Sequence, residues 1–218
     1  MGCSTPLGTD GSWLCAKCRN DLIPMRESER PRCPVCGHFL SAQGKCRCCS
    51  RWEERTLTMA RSAYVFQGPA RGIVHRLKYR GVQRLAPSMA RDMAKTLFDE
   101  EIPLPDAFVP VPMTARRMRM RGYNQSLLLA EELCRTVSVP MRDVLVRNHS
   151  FGQNAKLSAA QRRENMRGAF SCREDVSGMT LMLVDDVFTT GATSLACAKA
   201  LLERGAKEVS LITFAAAE

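Results

Sequence analysis

Two adjacent acids followed by hydroxyls and a glycine are the residues of this chain best suited to chemistry: Leu183-Val184-Asp185-Asp186-Val187-Phe188-Thr189-Thr190-Gly191-Ala192-Thr193. The string puts Asp185 and Asp186 where a buried strand ends and the hydroxyls where a helix begins, a ligand position on an open α/β sheet. A helix N-terminus offers unpaired N–H groups and partial positive charge to a phosphate. Gly191 lets the backbone approach closely, and Thr189, Thr190 and Thr193 add O–H donors. The carboxylates are unsuited to a phosphate but can accept hydrogen bonds from sugar hydroxyls. A phosphate and a sugar diol held by one loop describe a ribose 5-phosphate. An ordinary strand-to-helix turn with Asp and Thr caps would account for a lone Thr-Gly pair, but not for the whole string.

The string resembles the phosphoribosyl-diphosphate (PRPP) binding motif of type I phosphoribosyltransferases. That resemblance implies that Asp185 and Asp186 hold the ribose 2′- and 3′-hydroxyls, while Thr189, Thr190, Gly191, Ala192 and Thr193 wrap the 5′-phosphate. Phe188 stands where the motif is often aliphatic. PRPP also carries a pyrophosphate, whose departure from C1′ leaves an oxocarbenium-like centre. Its site therefore calls for Mg²⁺ and cationic side chains. Val109-Pro110-Val111-Pro112, followed by Arg116, Arg117, Arg121, Gly122, Tyr123, Asn124 and Gln125, supplies a strand end, a cationic turn and a helix start. Asp185, Asp186 and Arg121 are the expected catalytic set, and Arg116 and Arg117 join Thr189 to Thr193 as the expected ligand-binding set.

Further stretches narrow the resemblance: Arg76-Leu77-Lys78-Tyr79-Arg80-Gly81 before the cationic turn, then Gln153, Leu157, Arg162, Arg163, Asn165 and Gly168-Ala169-Phe170 after it. With them, most of residues 63 to 218 is similar to the ComF family of competence-associated proteins. The family implies a phosphoribosyltransferase-like fold, a zinc module preceding it, and a link to DNA uptake in natural transformation. It supplies no acceptor substrate.

Eight of the eleven cysteines fall between Cys3 and Cys49, most in close pairs, which is metal-ligand spacing in a reducing compartment. Cys33-Pro34-Val35-Cys36-Gly37 and Cys46-Arg47-Cys48-Cys49 form two Cys-x2-Cys knuckles nine residues apart. Four thiolates in tetrahedral array suit structural Zn²⁺ and leave no open coordination position. Cys15-Ala16-Lys17-Cys18 is a third knuckle, so the expected ligands are Cys15, Cys18, Cys33, Cys36, Cys46 and Cys49. The family suggests a double zinc ribbon; for a second ion the spacing leaves both Cys3 and Cys48 open as completing ligands. His38, beside Gly37, is expected at the surface rather than on a metal. Cys134, Cys172 and Cys197 are expected to be small buried apolar residues.

The elements that must position these groups follow from periodicity. Residues 1–56 are rich in Cys, Pro and Arg with little apolar rhythm, whereas 57–218 alternate apolar runs with helix-period stretches, giving a zinc-ribbon module and then a phosphoribosyltransferase-like domain. Strands are expected at Ala63–Phe66, Ala107–Pro112 (ending in its prolines), Asp143–Val146, Leu181–Val184 and Val209–Phe214. Helices are expected where Leu85, Met89, Met93 and Leu97 recur, over Asn124–Thr136, and over Ser194–Arg204 with Gly205 as C-terminal cap. Their alternation implies an α/β fold with a parallel sheet flanked by helices.

At 218 residues the chain supports one sizeable core and a small stapled appendage. It lacks any apolar run of about 18 residues and any leader-like start, so the reading is a cytoplasmic protein with no membrane span. A net charge of +10 favours a polyanionic partner, nucleic acid or phosphorylated metabolite. Three functions fit: a phosphoribosyltransferase with unknown acceptor, a single-stranded DNA-binding module serving the uptake machinery, and a PRPP-sensing regulator without turnover. An aromatic content of 6% weakens a base-stacking mode of strand binding. His75 and His149 fit no acid–base pattern.

Overall fold

The computed structural model describes residues 14–27, 30–52, 56–148 and 168–217. Cys3, His149, Gln153, Leu157, Arg162, Arg163 and Asn165 lie outside these residues. In chain order the elements are α1 (Ala16–Asn20), β1 (Met59–Val65), α2 (Gly68–Tyr79), α3 (Ala86–Asp99), β2 (Ala107–Pro110), α4 (Ala115–Arg121), α5 (Gln125–Val137), β3 (Leu145–Arg147), β4 (Phe170–Cys172), β5 (Thr180–Phe188), α6 (Ala192–Leu202) and β6 (Glu208–Ala216).

Four strands form one parallel sheet in the order β1-β6-β5-β2, and β3 and β4 pair antiparallel apart from it. The central strands β5 and β6 are apolar on both faces because both faces are covered, as parallel sheets require. On one face, Ile73, Val74 and Leu77 of α2, Met89, Met93 and Leu97 of α3, and Leu129 and Leu133 of α5 pack over Phe108, Met182, Val184 and Ile212. On the other, Cys197, Ala198 and Leu201 of α6 and Phe170 and Cys172 of β4 pack over Val109, Leu181, Leu183 and Leu211. Met25, Cys33 and Cys36 belong to that second cluster. The four-residue spacing of Leu85, Met89, Met93 and Leu97 thus marks a true buried face, each being at most 5% exposed.

The strand boundaries differ from the sequence expectation: β1 starts earlier, at Met59, β4 has no counterpart there, and two further differences bear on the site. β5 continues in register with β6 as far as Phe188 opposite Ala216, so the acids lie inside the ladder rather than beyond its end. β3 starts at Leu145 because its pairing with β4, not its own apolar run, sets its extent. The Arg142 N–H before it is drawn instead to the Phe108 carbonyl.

The cysteine-rich segment lies along the free side of β1. Backbone bonds run from Met25 N–H to Ala63 O at 3.0 Å, from Val65 N–H to Ile23 O at 2.9 Å and from Ala60 N–H to Val35 O at 2.7 Å. Glu100, at the end of α3, receives Arg32 at 2.8 Å and Arg61 at 2.9 Å, joining that segment to sheet and helix.

Candidate functional site

Adjacent strands β2 and β5 send their following helices to opposite faces: α5 covers the face bearing Phe108, and α6 the face bearing Leu183. Such a switch point opens a crevice at the carboxyl ends of the strands. Asp185 and Asp186 stand there. They are neighbours in sequence but occupy different surroundings.

Asp186 is 1% exposed, and its Oδ2 lies 2.7 Å from Nζ of Lys78 in the last turn of α2. A buried carboxylate needs such a partner to remain charged. Asp185 is half-buried and accepts a 2.8 Å hydrogen bond from Ser126 Oγ in the first turn of α5. It also accepts the Asp186 backbone N–H at 2.8 Å. Burial first, and then the neighbouring Asp186 charge, push the Asp185 carboxyl up to about 7, against the opposing pull of Ser126. One acid is pinned by a cation while the other is poised to ionise near neutrality.

Ser126 is held by local capping: Asn124 caps α5 by accepting from Ser126 N–H at 3.1 Å, while its own amide donates to Val111 O at 3.1 Å. The strand end and the helix start are therefore tied together beside the acids. Tyr123 O–H donates to the Leu77 carbonyl, linking the same turn to α2.

After Phe188, Thr189 and Thr190 are exposed, Gly191 is buried, Ala192 is exposed and Thr193 is half-buried at the start of α6. Gly191 caps that helix with φ +81°, a left-handed conformation suited to glycine. A Cβ there would lie 3.1 Å from Phe188 Cε2 and 3.2 Å from Trp52 Cζ2.

The expected cations divide in two. Arg116 and Arg117 are exposed on α4, whose N-cap Thr114 accepts from Arg117 N–H at 3.2 Å. Arg121 is half-buried, donates to the Gln125 side chain and stands 5.4 Å over the Tyr79 ring. Sequence reasoning missed Arg147 on β3. Its guanidinium stacks 5.1 Å from Phe170, and burial and then the Arg117 charge lower its pKa. It also missed the pairing of Lys78 with Asp186, visible beforehand only as one cation in a basic run.

The cysteines separate likewise. Sγ atoms of Cys33, Cys36, Cys46 and Cys49 all lie within 4.8 Å of one another, with Cys33 to Cys49 at 3.5 Å and Cys36 to Cys46 at 3.3 Å. Zinc–thiolate bonds of about 2.3 Å in a tetrahedron need similar spacings, so this set fits a structural metal ion. Among the described residues Cys15 and Cys18 join no such cluster; Cys15 Sγ caps α1 by accepting Cys18 N–H at 3.5 Å. A second group brings together Cys36, His38 and Cys48. His38 corrects the surface expectation. It is 8% exposed, its Nδ1 is 3.3 Å from Cys36 O, and its ring meets Phe188 edge-on at 4.9 Å.

The phosphoribosyl transferase domain family matches residues 124–218 of this chain. Over 209 residues the chain is 31% identical to competence protein ComFC of Bacillus subtilis (strain 168), covering 92% of this chain and 82% of that protein. Over 216 residues it is 31% identical to the DNA utilization protein YhgH of Salmonella typhi, covering 96% and 92%. Competence protein F of Haemophilus influenzae is 30% identical over 211 residues, covering 91% and 88%.

Proposed function

The chain belongs to the ComF family of competence-associated proteins, and we propose on that footing that it binds PRPP at the β5–α6 loop and transfers the phosphoribosyl group to an acceptor. The observation that carries this reading is the acid pair. A strand that otherwise buries apolar side chains holds two adjacent carboxylates at a switch-point crevice, immediately ahead of exposed hydroxyls at a helix start. Burying like charges side by side is costly, and such cost collects where a ligand is bound.

In this reading Thr189, Thr190 and the N–H groups from Gly191 to Thr193 receive the 5′-phosphate, and the ribose hydroxyls donate to Asp185 and Asp186. Lys78 pairs with Asp186 and holds its carboxylate in place. Arg116, Arg117 and Arg121 face the pyrophosphate, and their charge stabilises it as the bond to C1′ breaks. Mg²⁺ bound with PRPP would supply further neutralisation of the leaving group. A ribose hydroxyl donating to Asp185 favours its ionised form, so binding releases a proton near pH 7. Titrating Mg·PRPP calorimetrically in buffers of different ionisation enthalpy tests both points. Saturable binding with proton release near pH 7 is expected. Asp185→Asn should weaken binding roughly tenfold or more through loss of a charge-assisted bond. Unchanged affinity in that variant would remove the ribose assignment.

A second role is favoured by the exposed arginines of α4 and by the names of the relatives. Arg116 and Arg117 present charge to solvent close to the crevice, which suits single-stranded DNA phosphates in an uptake pathway. The thiolate metal site fits a reducing cytoplasm, and no helix of the described residues is long and apolar enough to cross a membrane. Such DNA binding should weaken steeply with salt and lose about one unit of salt slope per arginine removed, with little dependence on sequence. Affinity that stays flat between low and physiological salt contradicts it.

A further inference from the structure

The phosphate loop is not built by β5 and α6 alone: the cysteine-rich segment lies directly against it. Trp52 Nε1 donates to the Thr190 carbonyl at 3.3 Å, and Cys48 Sγ lies 3.8 Å from the Thr189 carbonyl. These two carbonyls precede Gly191, whose Cα packs so closely under the indole that a Cβ would meet Trp52 at 3.2 and 3.3 Å. Phe188, the last residue of β5, has the rings of His38 and Trp52 edge-on at 4.9 and 6.3 Å. Cys48 and Trp52 sit within three residues of Cys49, one of the four clustered thiols.

These contacts share a direction. Carbonyls of Thr189 and Thr190 that bond outward to Cys48 and Trp52 fix the peptide planes of the loop. Fixed planes set where the following N–H groups and hydroxyls point. A phosphate cradle is effective when its donors are held before the ligand arrives, because ordering them on binding subtracts from affinity. Phe188 stands where the motif is often aliphatic, and its ring is what the rings of the cysteine-rich segment meet.

We infer that Trp52 is a positioning residue for the 5′-phosphate loop, through which the metal-organised cysteine segment sets the affinity of the phosphoribosyl site. The inference rests on the PRPP reading given above. Two consequences follow. Ligand binding and metal retention are linked, each strengthening the other by the same factor at equilibrium. And the effect is confined to the loop, so it reaches ligands that place a phosphate there and not those that bind only the arginines.

The test uses the zinc-loaded full chain as wild type, Trp52→Phe and Trp52→Leu. Both substitutions keep an apolar side chain and remove the N–H donor. Zinc content and a thermal melt identify any variant that has lost the metal fold; two substitutions of different shape guard against a failure specific to one. Calorimetry then measures Mg·PRPP and, separately, inorganic pyrophosphate with Mg²⁺. The expected result is a three- to tenfold loss of PRPP affinity, about the worth of one net hydrogen bond, with pyrophosphate affinity unchanged. Equal PRPP affinity in wild type and both variants overturns the positioning role while leaving the phosphoribosyl site intact. Equal weakening of PRPP and pyrophosphate overturns it as well, since a general loss of structure would act on both. Absence of PRPP binding by the wild type overturns the phosphoribosyl reading and this inference together.

Discussion

The cysteine-rich segment and the parallel sheet hold their shapes by different means. Along β5 and β6 nearly every side chain is buried against a helix face, and order comes from apolar area removed from water. Around Cys33, Cys36, Cys46 and Cys49 the described residues form turns and a three-residue 3-10 helix at Cys49–Arg51, and the four clustered thiols are spaced to close on one metal ion, which would supply the order that an apolar core does not. The difference teaches where each region is vulnerable: the sheet fails by accumulation of small losses, the segment at a single event. The candidate site stands where they meet.

Removing the metal should produce the largest effect. Structural zinc in small modules is worth on the order of 10 to 16 kcal/mol of apparent binding energy, and little core remains to replace it. Hydrogen exchange after chelation should show residues 15–52 losing protection while amides of β5 and β6 keep theirs. Because Cys33 and Cys36 share the apolar cluster of Leu181 and Leu211, the sheet should also melt at a lower temperature. Less than half an equivalent of zinc in protein purified without chelator would remove the contrast altogether.

Within the sheet, Leu183→Ala should cost about 2 to 5 kcal/mol, because Leu183 is fully buried and its loss leaves a cavity. Denaturant melts should show that cost with zinc content unchanged. A variant that released zinc would show that the two regions are held by one set of forces.

The acid pair sharpens the contrast, since there the sheet departs from its own rule. Asp186→Asn leaves Lys78 largely buried without its counter-charge, and should destabilise by roughly 2 kcal/mol. Asp185→Asn should act in the opposite direction. The Asp185 pKa is raised in the folded chain, so the folded state holds that proton more tightly than the unfolded state does. Stability due to this group therefore falls as pH rises from about 4 to about 7. The asparagine variant should match wild type below that window and exceed it at pH 8, the gap opening across the window. Melts of both variants across pH 4 to 8 give the check. Parallel pH profiles for wild type and Asp185→Asn would remove the distinction between the two carboxylates.

Much of this arrangement can be read from residue order. Leu85, Met89, Met93 and Leu97 mark a helix face because core packing demands that spacing, and the apolar runs of β2, β5 and β6 mark central strands because both faces are covered. The loop from Asp185 to Thr193 is legible because its groups are consecutive. What escaped depends on distant chain segments. The extension of β5 past Val184 comes from backbone pairing with β6, which side-chain polarity does not record. Lys78 reaches Asp186 only because α2 ends over that face of the sheet. His38 looked like a surface residue because nothing nearby in sequence covers it; Phe188 does. Trp52 belongs to no periodic stretch, so no pattern pointed to it.

The backbone bonds that the cysteine-rich segment makes to β1 have a consequence for solubility. β1 is the outer strand of the sheet, and Ile23, Met25 and Val35 occupy backbone groups on it that would otherwise lie open. An uncovered outer strand is a template for pairing with another chain. A protein starved of metal would therefore still carry most of its sheet while exposing a sticky edge, and its damage would depend on concentration: dilute samples would remain dispersed and crowded ones would associate. A metal held by the four thiols would thus also guard against self-assembly, acting on a strand that contributes none of its ligands.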